Sequence, residues 1–274
     1  MNNAASASAA IAASTTALLE VRGLEKRFGA LVATDRVDLS VRAGEVHALI
    51  GPNGAGKTTL VAQLGGQLTS DHGRIVFDGT DITRLSPHQR AHRGLARSFQ
   101  ITRLFRSATV IENTALAVQA LSGHSFGAWR PVRRDVALFA EARRILAEVG
   151  LEGKASLGVE QLSHGERRAL EVGLALAGRP RLVLLDEPMA GLGPDESAWM
   201  ERLIDGIRTR TAVLLIEHDV EAVFRLADRV SVLVGGRLIA TDTPAAIRRD
   251  VKVVGAYLGD DESLHDRAVA GDSS

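Results

Sequence analysis

A glycine-rich loop follows a short apolar stretch near the start of the chain, and it constrains the fold more than any other feature. The apolar run VHALI leads into GPNGAGKTTL at residues 51–60, which matches the pattern G-x-x-x-x-G-K-[ST]. Glycines in such a loop let backbone N–H groups converge on phosphate oxygens at a helix N-terminus, where the helix dipole favours anions. The sequence therefore predicts a strand, a phosphate-binding loop and a helix as the beginning of an α/β core.

The residues of this loop have separate expected roles. Lys57 is expected to contact the β- and γ-phosphates of a nucleoside triphosphate, and the Thr58 hydroxyl is expected to bind Mg²⁺. The candidate nucleotide-binding residues of the loop are Gly51, Pro52, Asn53, Gly54, Ala55, Gly56, Lys57, Thr58 and Thr59. The alternative is a glycine-rich turn with a chance lysine, which the complete pattern and its flanking segments disfavour.

A second motif, LVLLDEP at residues 182–188, supplies acidic groups. Its four apolar residues predict a buried strand, and Asp186 at the carboxyl end of that strand is expected to hold Mg²⁺. Glu187 is placed to orient or deprotonate an attacking water. The two acids could instead be a helix N-cap and a first-turn acid. Together with the loop, the motif predicts a site for a nucleoside triphosphate and magnesium.

Composition and charge exclude several other kinds of protein. The 274 residues carry 33 basic and 33 acidic side chains, so the net charge gives no reason to expect nucleic acid or an anionic membrane as a partner. The absence of cysteine excludes disulfides, thiolate metal sites and cysteine nucleophiles. The Ala/Ser-rich residues 1–17 lack a basic start and a continuous apolar segment, which predicts a disordered tail rather than a signal peptide. Because no apolar window is long enough to span a bilayer, a membrane role would require a partner.

The apolar pattern of the whole chain indicates the fold class. Residues 18–28 and 35–51 show short β-prone runs broken by turn residues, which is typical of antiparallel strands. The Asp-Gly dipeptide within 73–83 and the Gly-Gly dipeptide within 230–244 predict two hairpins. From about 102 to 178 the pattern becomes helical, which predicts a helical insertion. The apolar runs 182–185 and 212–216 lack alternation, as parallel strands covered on both faces do. We therefore expect an α/β fold with a mixed sheet core, an N-terminal antiparallel β subdomain and an α-helical subdomain.

The stretch LSHGE at residues 162–166 opens a helical pattern and has two compatible interpretations. As local structure, Ser163 is a helix N-cap, and Glu166 completes a capping box. The stretch also resembles the signature motif of ATP-binding cassette (ABC) proteins, a family of P-loop NTPases. In that family the signature of one subunit closes over ATP held by the P-loop of another, which implies that Ser163 and Gly165 contact the γ-phosphate in trans. His164 and Glu166 depart from the family's commonest form, Leu-Ser-Gly-Gly-Gln, so the resemblance assigns them no contacts.

Other segments resemble landmarks of this family, in the family's order. Gln100 in ARSFQ occupies the position of the glutamine that contacts Mg²⁺ or water and senses the transmembrane partner. His218 corresponds to the histidine that bonds the γ-phosphate, and Phe28 to the aromatic residue that stacks on adenine. The segment AGLGPDE resembles the D-loop, with Asp195 at the position that couples two ATP sites. Taken as isolated residues, Gln100 could be a surface glutamine, Phe28 a core aromatic and Asp195 a helix cap.

The resemblance covers residues 18–258 and implies an ABC ATP-binding domain there, with its helical signature subdomain at about 102–178 and a flexible C-terminal tail at 259–274. It implies an ATPase that uses ATP and Mg²⁺. The implied catalytic groups are Lys57, Gln100, Glu187 and His218. The implied Mg²⁺ ligands are Thr58, Gln100 and Asp186.

Within the family, the segments GLARSFQITRLFRSATVIEN, DEPMAGL and VGAYLG are similar to ATPases that import branched-chain amino acids, urea or short amides. The implied partners are transmembrane permease subunits, a second ABC ATPase subunit (a paralogue or another copy) and, indirectly, an extracytoplasmic solute-binding protein, with no nucleic acid. The implied location is the cytoplasmic face of the plasma (inner) membrane. The insertion at 124–135, with Arg130, Arg133 and Arg134, is either a permease contact or a solvated basic face.

Two other functions are alternatives to import. One is the ATPase of a lipid or polysaccharide exporter, against which the insertion after Gln100 argues. The other is a soluble ABC-type regulatory or assembly ATPase. The chain has a single cassette, no cysteine and no long heptad run, and these features argue against that soluble class.

Overall fold

The computed structural model describes residues 17–98, 104–121 and 135–255, which form an α/β structure with two sheets. The strands of these residues are β1 (Ala17–Phe28), β2 (Leu31–Arg42), β3 (Val46–Ile50), β4 (His72–Phe77), β5 (Thr80–Asp81), β6 (Leu95–Arg97), β7 (Leu182–Asp186), β8 (Ala212–Ile216), β9 (Arg229–Val234) and β10 (Arg237–Asp242). Their α-helices are α1 (Lys57–Leu64), α2 (Pro87–His92), α3 (Val110–Leu121), α4 (Val136–Glu148), α5 (His164–Leu176), α6 (Pro194–Ile207), α7 (Val220–Leu226), α8 (Pro244–Ile247) and α9 (Val251–Val253). Single 3₁₀ turns at Glu152–Lys154 and Val159–Gln161 precede α5. The predicted fold class is confirmed.

The larger sheet is mixed and has the strand order β10-β9-β3-β8-β7-β6. The neighbouring pairs from β9 to β6 are parallel, and β10 is antiparallel to β9. Every residue of β3, β7 and β8 is buried, which explains why these segments are mostly apolar and show no alternation. Because parallel strands end at the same edge of a sheet, the residues that follow these three strands lie close together.

The smaller sheet is antiparallel, with the order β2-β1-β4-β5. Its β4–β5 hairpin turns at Asp78 and Gly79, whose φ angles are +50° and +73°. The β9–β10 hairpin of the larger sheet turns at Gly235 and Gly236, with φ of +52° and +79°. Positive φ at both central residues is the requirement of a type I′ turn, so the Asp-Gly and Gly-Gly hairpins predicted from the sequence are both confirmed.

Two large apolar cores lie against the larger sheet, and a smaller one lies at β3 and β9. One large core joins the larger sheet to α1 and the smaller sheet, through residues such as Leu19, Leu39, Leu60, Leu184 and Leu214. The other packs α5 and α6 against the sheet, through Leu170, Ile204, Val183 and Val213 among others. A smaller cluster joins α3 and α4 to the end of α5 through residues such as Ala115, Ala142, Ile145 and Ala177. None of the helices within residues 17–98, 104–121 and 135–255 combines the length and apolar character that a membrane span requires.

A buried arginine holds the C-terminal end of α1. The Arg90 guanidinium donates hydrogen bonds to the carbonyl oxygens of Gln63 (2.7 Å), Leu64 (2.6 Å), Leu85 (3.0 Å) and Thr83 (2.9 Å). It therefore satisfies carbonyls that a helix C-terminus leaves without intrahelical partners, and its charge complements the helix dipole. Burial lowers the pKa of Arg90 to about 10. The helix that follows the phosphate loop is thus fixed at its far end.

Candidate nucleotide site

The loop between β3 and α1 adopts a backbone that only glycine tolerates at two points. Gly51 has φ of +155° and Gly56 has φ of +105°, and a Cβ on either would overlap a carbonyl oxygen, that of Leu233 or of Ala33. Among the described residues, no side chain caps the N-terminus of α1. The N–H groups of its first turn are therefore left for a ligand, as the phosphate-binding pattern predicts.

Lys57 is the first residue of α1 and is only 6% exposed. Its ammonium donates hydrogen bonds to the carbonyl oxygens of Gly51 (2.6 Å) and Pro52 (3.1 Å). Burial lowers the pKa of Lys57, and the carboxylates of Glu187 and Asp186 partly offset that effect. The ammonium is thus held inside the loop by neutral carbonyls, and anionic phosphate oxygens would be stronger partners.

A cavity lies over this loop and brings together the predicted nucleotide-binding groups from four parts of the chain. Its lining residues are Phe28, Leu31, Val32, Ala33, Asn53, Gly54, Ala55, Gly56, Lys57, Thr58, Thr59, Glu187 and His218. Phe28 is 50% exposed, so the alternative that it is a core aromatic is wrong. Its ring and the neighbouring exposed Leu31 form an apolar rim at the turn between β1 and β2, which suits a flat aromatic base.

Asp186 ends β7 and is buried. Its Oδ2 accepts a hydrogen bond from Arg97 Nη2 at 2.8 Å, whereas Oδ1 is buried without a hydrogen-bond partner among the described residues. A buried carboxylate oxygen without a partner fits a divalent cation, which takes oxygen ligands. The alternative that Asp186 and Glu187 begin a helix is wrong, because the next helix, α6, begins at Pro194.

Glu187 and His218 form a hydrogen-bonded pair at the cavity. The distance between His218 Nε2 and Glu187 Oε1 is 2.7 Å, and both side chains are partly exposed. Glu187 has φ of +52°, a strained conformation for a residue with a side chain, and its N–H donates to the carbonyl of Ile216 at 2.8 Å. This backbone turn directs a carboxylate from β7 towards an imidazole that follows β8.

Glu217 is a functional candidate that the sequence did not reveal. It is 3% exposed, and its two oxygens accept hydrogen bonds from the backbone N–H groups of Met189 (2.7 Å) and His218 (3.2 Å). Burial raises the pKa of Glu217, and the negative charge of Glu187 raises it further. This carboxylate links the segment that carries Glu187 to the segment that carries His218. An acid at the end of an otherwise apolar strand was the available signal.

The signature stretch is a capped helix N-terminus. Ser163 is the N-cap of α5, its Oγ accepts from Glu166 N at 3.2 Å, and Glu166 Oε2 accepts from Ser163 N at 2.9 Å. The capping box predicted from the sequence is therefore confirmed. Glu166 also forms an ion pair with Lys154, and His164 Nε2 donates to the carbonyl of Ala190 at 3.3 Å. His164 and Glu166, the two residues that differ from the commonest signature, therefore both contact residues of their own chain.

The donors of this helix N-terminus already hold a carboxylate. Ser163 Oγ donates to Glu196 Oε1 at 3.0 Å, and Gly165 N donates to the same oxygen at 3.2 Å. Neither Ser163 nor Gly165 is among the described residues that line the cavity over the phosphate loop. Within one chain, Ser163 and Gly165 therefore lie apart from the predicted nucleotide-binding residues that line the cavity.

Some predicted positions lie outside the described residues. They are Gln100, three arginines of the insertion (Arg130, Arg133 and Arg134), the C-terminal tail predicted at 259–274, and residues 1–16 of the N-terminal tail predicted at 1–17. Ala17, the last residue of that N-terminal segment, begins β1. Asp195 lies in the first turn of α6, whose N-cap is Gly193, so the alternative that Asp195 caps the helix is wrong.

Two families match the sequence. The family described as "ABC transporter" matches residues 34–190, and the family described as "Branched-chain amino acid ATP-binding cassette transporter" matches residues 237–263. The first match contains the phosphate loop, the signature stretch and the acidic end of β7. The second begins at β10.

Curated relatives match over nearly their whole length. A high-affinity branched-chain amino acid transport ATP-binding protein of Pseudomonas aeruginosa is 38% identical over 252 residues, which cover 89% of this chain and 98% of the relative. A protein of the same description from Escherichia coli K12 is 38% identical over 250 residues, with the same coverage. A lipopolysaccharide export system ATP-binding protein of Haemophilus influenzae is 34% identical over 254 residues, which cover 90% of this chain and 99% of the relative.

Solved structures share the fold. The crystal structure of a nucleotide-free ATP-binding cassette from an ABC transporter is 29% identical, has a TM-score of 0.79 and covers 88% of this chain and 99% of its own. The ADP conformation of an ATP-binding cassette of an ABC transporter is 29% identical, with a TM-score of 0.80 and coverage of 89% and 100%.

Proposed function

Because the chain belongs to the ABC transporter family of ATP-binding proteins, we propose that it is the ATP-hydrolysing subunit of a membrane importer for branched-chain amino acids or related small solutes. The observation that carries the proposal is the cavity that unites the phosphate loop with Lys57, Glu187 and His218. The choice of import rests on the branched-chain family match at 237–263 and on the 38% identical relatives.

Lipopolysaccharide export is a second candidate, because an export ATPase is 34% identical over almost the same span. It is less well supported than import. The export relative has the lower identity, and the match at 237–263 is to a family described for branched-chain amino acids.

In the proposed reaction, the loop N–H groups and Lys57 bind the β- and γ-phosphates of ATP. The Glu187 carboxylate accepts a proton from the water that attacks the γ-phosphorus, and ADP leaves with the β–γ bridging oxygen. His218, which is hydrogen-bonded to Glu187, contacts the γ-phosphate and keeps the carboxylate in place. Phe28 stacks on the adenine. Most of the catalysis is then positioning and charge stabilisation in a preorganised site.

Asp186, Thr58 and Gln100 are the proposed Mg²⁺ ligands. The buried Asp186 Oδ1, which has no partner among the described residues, fits this role. When bound, Mg²⁺ neutralises charge on the β- and γ-phosphate oxygens. Arg97 holds the other oxygen of the same carboxylate and so fixes its orientation.

Ser163 and Gly165 contact the γ-phosphate of ATP that is held by a second ATPase subunit, either a paralogue or another copy. Closure of the two subunits then drives permease subunits between inward-facing and outward-facing states, and hydrolysis reverses the closure. A solute-binding protein outside the membrane delivers the solute, and the chain lies on the cytoplasmic face of the plasma (inner) membrane. The absence of Ser163 and Gly165 from the lining of the chain's own cavity supports this arrangement.

The substitution Glu187→Gln tests the catalytic assignment. It retains an oxygen that can accept from His218 but removes the proton acceptor, so hydrolysis is expected to fall by about 10²–10⁴-fold while ATP binding is retained. The matched control is Glu20→Gln on β1, a glutamate outside the cavity lining that pairs with Arg22. Measured phosphate release and fluorescent-nucleotide binding separate the two effects. If Glu187→Gln hydrolyses ATP at a near wild-type rate, the assignment of the base is wrong.

Uptake of radiolabelled leucine tests the solute class. A strain in which the gene for this protein is deleted should lose leucine uptake. The wild-type gene should restore uptake, and a gene with Lys57→Ala should not restore it. Normal uptake together with a lipopolysaccharide defect at the cell surface would favour export instead.

A further inference from the structure

Glu196 connects two helix N-termini. It is the third residue of α6, and its Oε1 accepts hydrogen bonds from Ser163 Oγ (3.0 Å) and Gly165 N (3.2 Å) at the start of α5. A Cβ at position 165 would lie 2.7 Å from both Cδ and Oε1 of Glu196, so the glycine permits the close approach of the carboxylate. The signature stretch therefore provides both hydrogen-bond donors to the carboxylate and, through the missing Cβ of Gly165, the room that the carboxylate occupies.

These are the same donors that the proposed function assigns to the γ-phosphate of the partner subunit's ATP. A serine hydroxyl and a backbone N–H each carry one hydrogen, so neither can serve the Glu196 oxygen and a phosphate oxygen fully at the same time. Both ligands are anionic and both favour the positive end of a helix dipole. Carboxylate and phosphate must therefore compete for the N-terminus of α5.

We propose that Glu196 is an internal competitor that occupies the signature's phosphate-binding donors until ATP held by a second subunit displaces it. This inference rests on the proposed function, because it concerns the regulation of the same trans contact. By holding Ser163 and Gly165, the carboxylate raises the ATP concentration that is needed to close two subunits together. After ATP displaces it, the Glu196 carboxylate is still stabilised, because Glu196 lies in the first turn of α6 and keeps its interaction with the dipole of that helix.

The proposal predicts a gain rather than a loss when Glu196 is neutralised. Glu196→Gln keeps the shape but leaves only a neutral acceptor, and Glu196→Ala removes the acceptor. A net loss of about 1.4 kcal/mol from the two hydrogen bonds that the carboxylate accepts corresponds to a factor of ten. The ATP concentration for half-maximal dimer formation should therefore fall about tenfold in Glu196→Ala and by less in Glu196→Gln.

The experiment measures dimer formation by light scattering across ATP concentrations, with every protein carrying Glu187→Gln so that hydrolysis does not reverse closure. The control is Asp205→Asn, which removes one negative charge from the same helix at a residue paired with Arg208. Binding of a fluorescent ATP analogue to each monomer is measured in parallel. It should be unchanged, because Glu196 does not line the cavity over the phosphate loop.

The results of this experiment distinguish a failure of the competitor role from a failure of the proposed two-subunit site. If ATP drives dimerisation at the same concentration with and without Glu196, the competitor role is wrong and the proposed two-subunit site stands. If dimerisation weakens in both Glu196 variants, the carboxylate is a structural support of α5 and the inference is overturned. If no variant dimerises with ATP, either alone or with its paralogous subunit, the proposed trans site and this inference fail together.

Discussion

The phosphate loop offers a stability test in which two glycines receive the same substitution. Gly56 has φ of +105°, and a Cβ there would overlap the backbone carbonyl oxygen of Ala33. Gly54 has φ of +78°, and a Cβ there would have no atom of the described residues within 4 Å. Gly54→Ala therefore adds only backbone strain, whereas Gly56→Ala adds backbone strain and a steric overlap with a backbone carbonyl that cannot rotate away.

The two effects differ enough to measure. Left-handed backbone costs a residue with a Cβ about 1–2 kcal/mol, and overpacking adds about 1–3 kcal/mol. For a domain of this size, 1 kcal/mol shifts the melting temperature by about 2–4 °C. We expect melting temperatures to fall by about 3 °C for Gly54→Ala and by about 10 °C for Gly56→Ala in the absence of nucleotide.

Thermal unfolding followed by circular dichroism measures both shifts under identical buffer conditions. Equal shifts for the two variants would refute the reasoning, because they would mean that Ala33 moves away without cost. Fluorescent-nucleotide titration adds a second comparison, since both alanines alter the loop that binds phosphate. Gly56→Ala should lose more affinity, because it displaces the start of α1 and its N–H groups.

Three further perturbations test other parts of the chain. Ser163→Ala removes the N-cap of α5 and should lower stability by about 1 kcal/mol in chemical denaturation, whereas Ser163→Thr should retain most of it. In Glu217→Gln, the side chain can accept from only one of the two backbone N–H groups that the carboxylate holds. We therefore expect kcat for ATP hydrolysis to fall about tenfold with KM unchanged. If kcat and KM change by the same factor, Glu217 does not have a positioning role. Hydrogen bonds from Arg144 and Arg179 lower the pKa of Glu141 to about 2, so the stability advantage over Glu141→Gln should be complete above pH 4.5 and shrink as the pH falls from 4.5 towards 2.

Local patterns in the sequence were sufficient for much of the fold. The loop glycines, the uninterrupted apolar runs of β7 and β8 and the turn dipeptides each act over a few residues, so their spacing predicted the parallel sheet and both hairpins. The capping box at Ser163 and Glu166 is also local, because both of its hydrogen bonds join residues three apart. Interactions of this range are encoded by neighbouring residues and can be identified without knowledge of the tertiary structure.

Contacts between distant segments could not be predicted in this way. Arg97 pairs with Asp186 across 89 positions, and Glu196 reaches Ser163 across 33. In the sequence, Glu217 is an acid that follows a strand, and only the structure shows that its carboxylate accepts hydrogen bonds from two backbone N–H groups. An acid in a first helical turn or an arginine in a strand has many available partners, and only the tertiary fold selects one of them.

The packing of α5 explains why one chain holds only half of the proposed site. Leu170 of this helix is part of the core that contains Val183 and Val213 of the central sheet, so α5 cannot swing towards the chain's own phosphate loop without opening that core. In the proposed function, Ser163 and Gly165 at its N-terminus therefore contact the γ-phosphate of ATP that another subunit holds. ATP binding, which uses the loop of a single chain, should then be independent of protein concentration. Hydrolysis per chain should rise with protein concentration until the two-subunit state is populated, because association follows mass action.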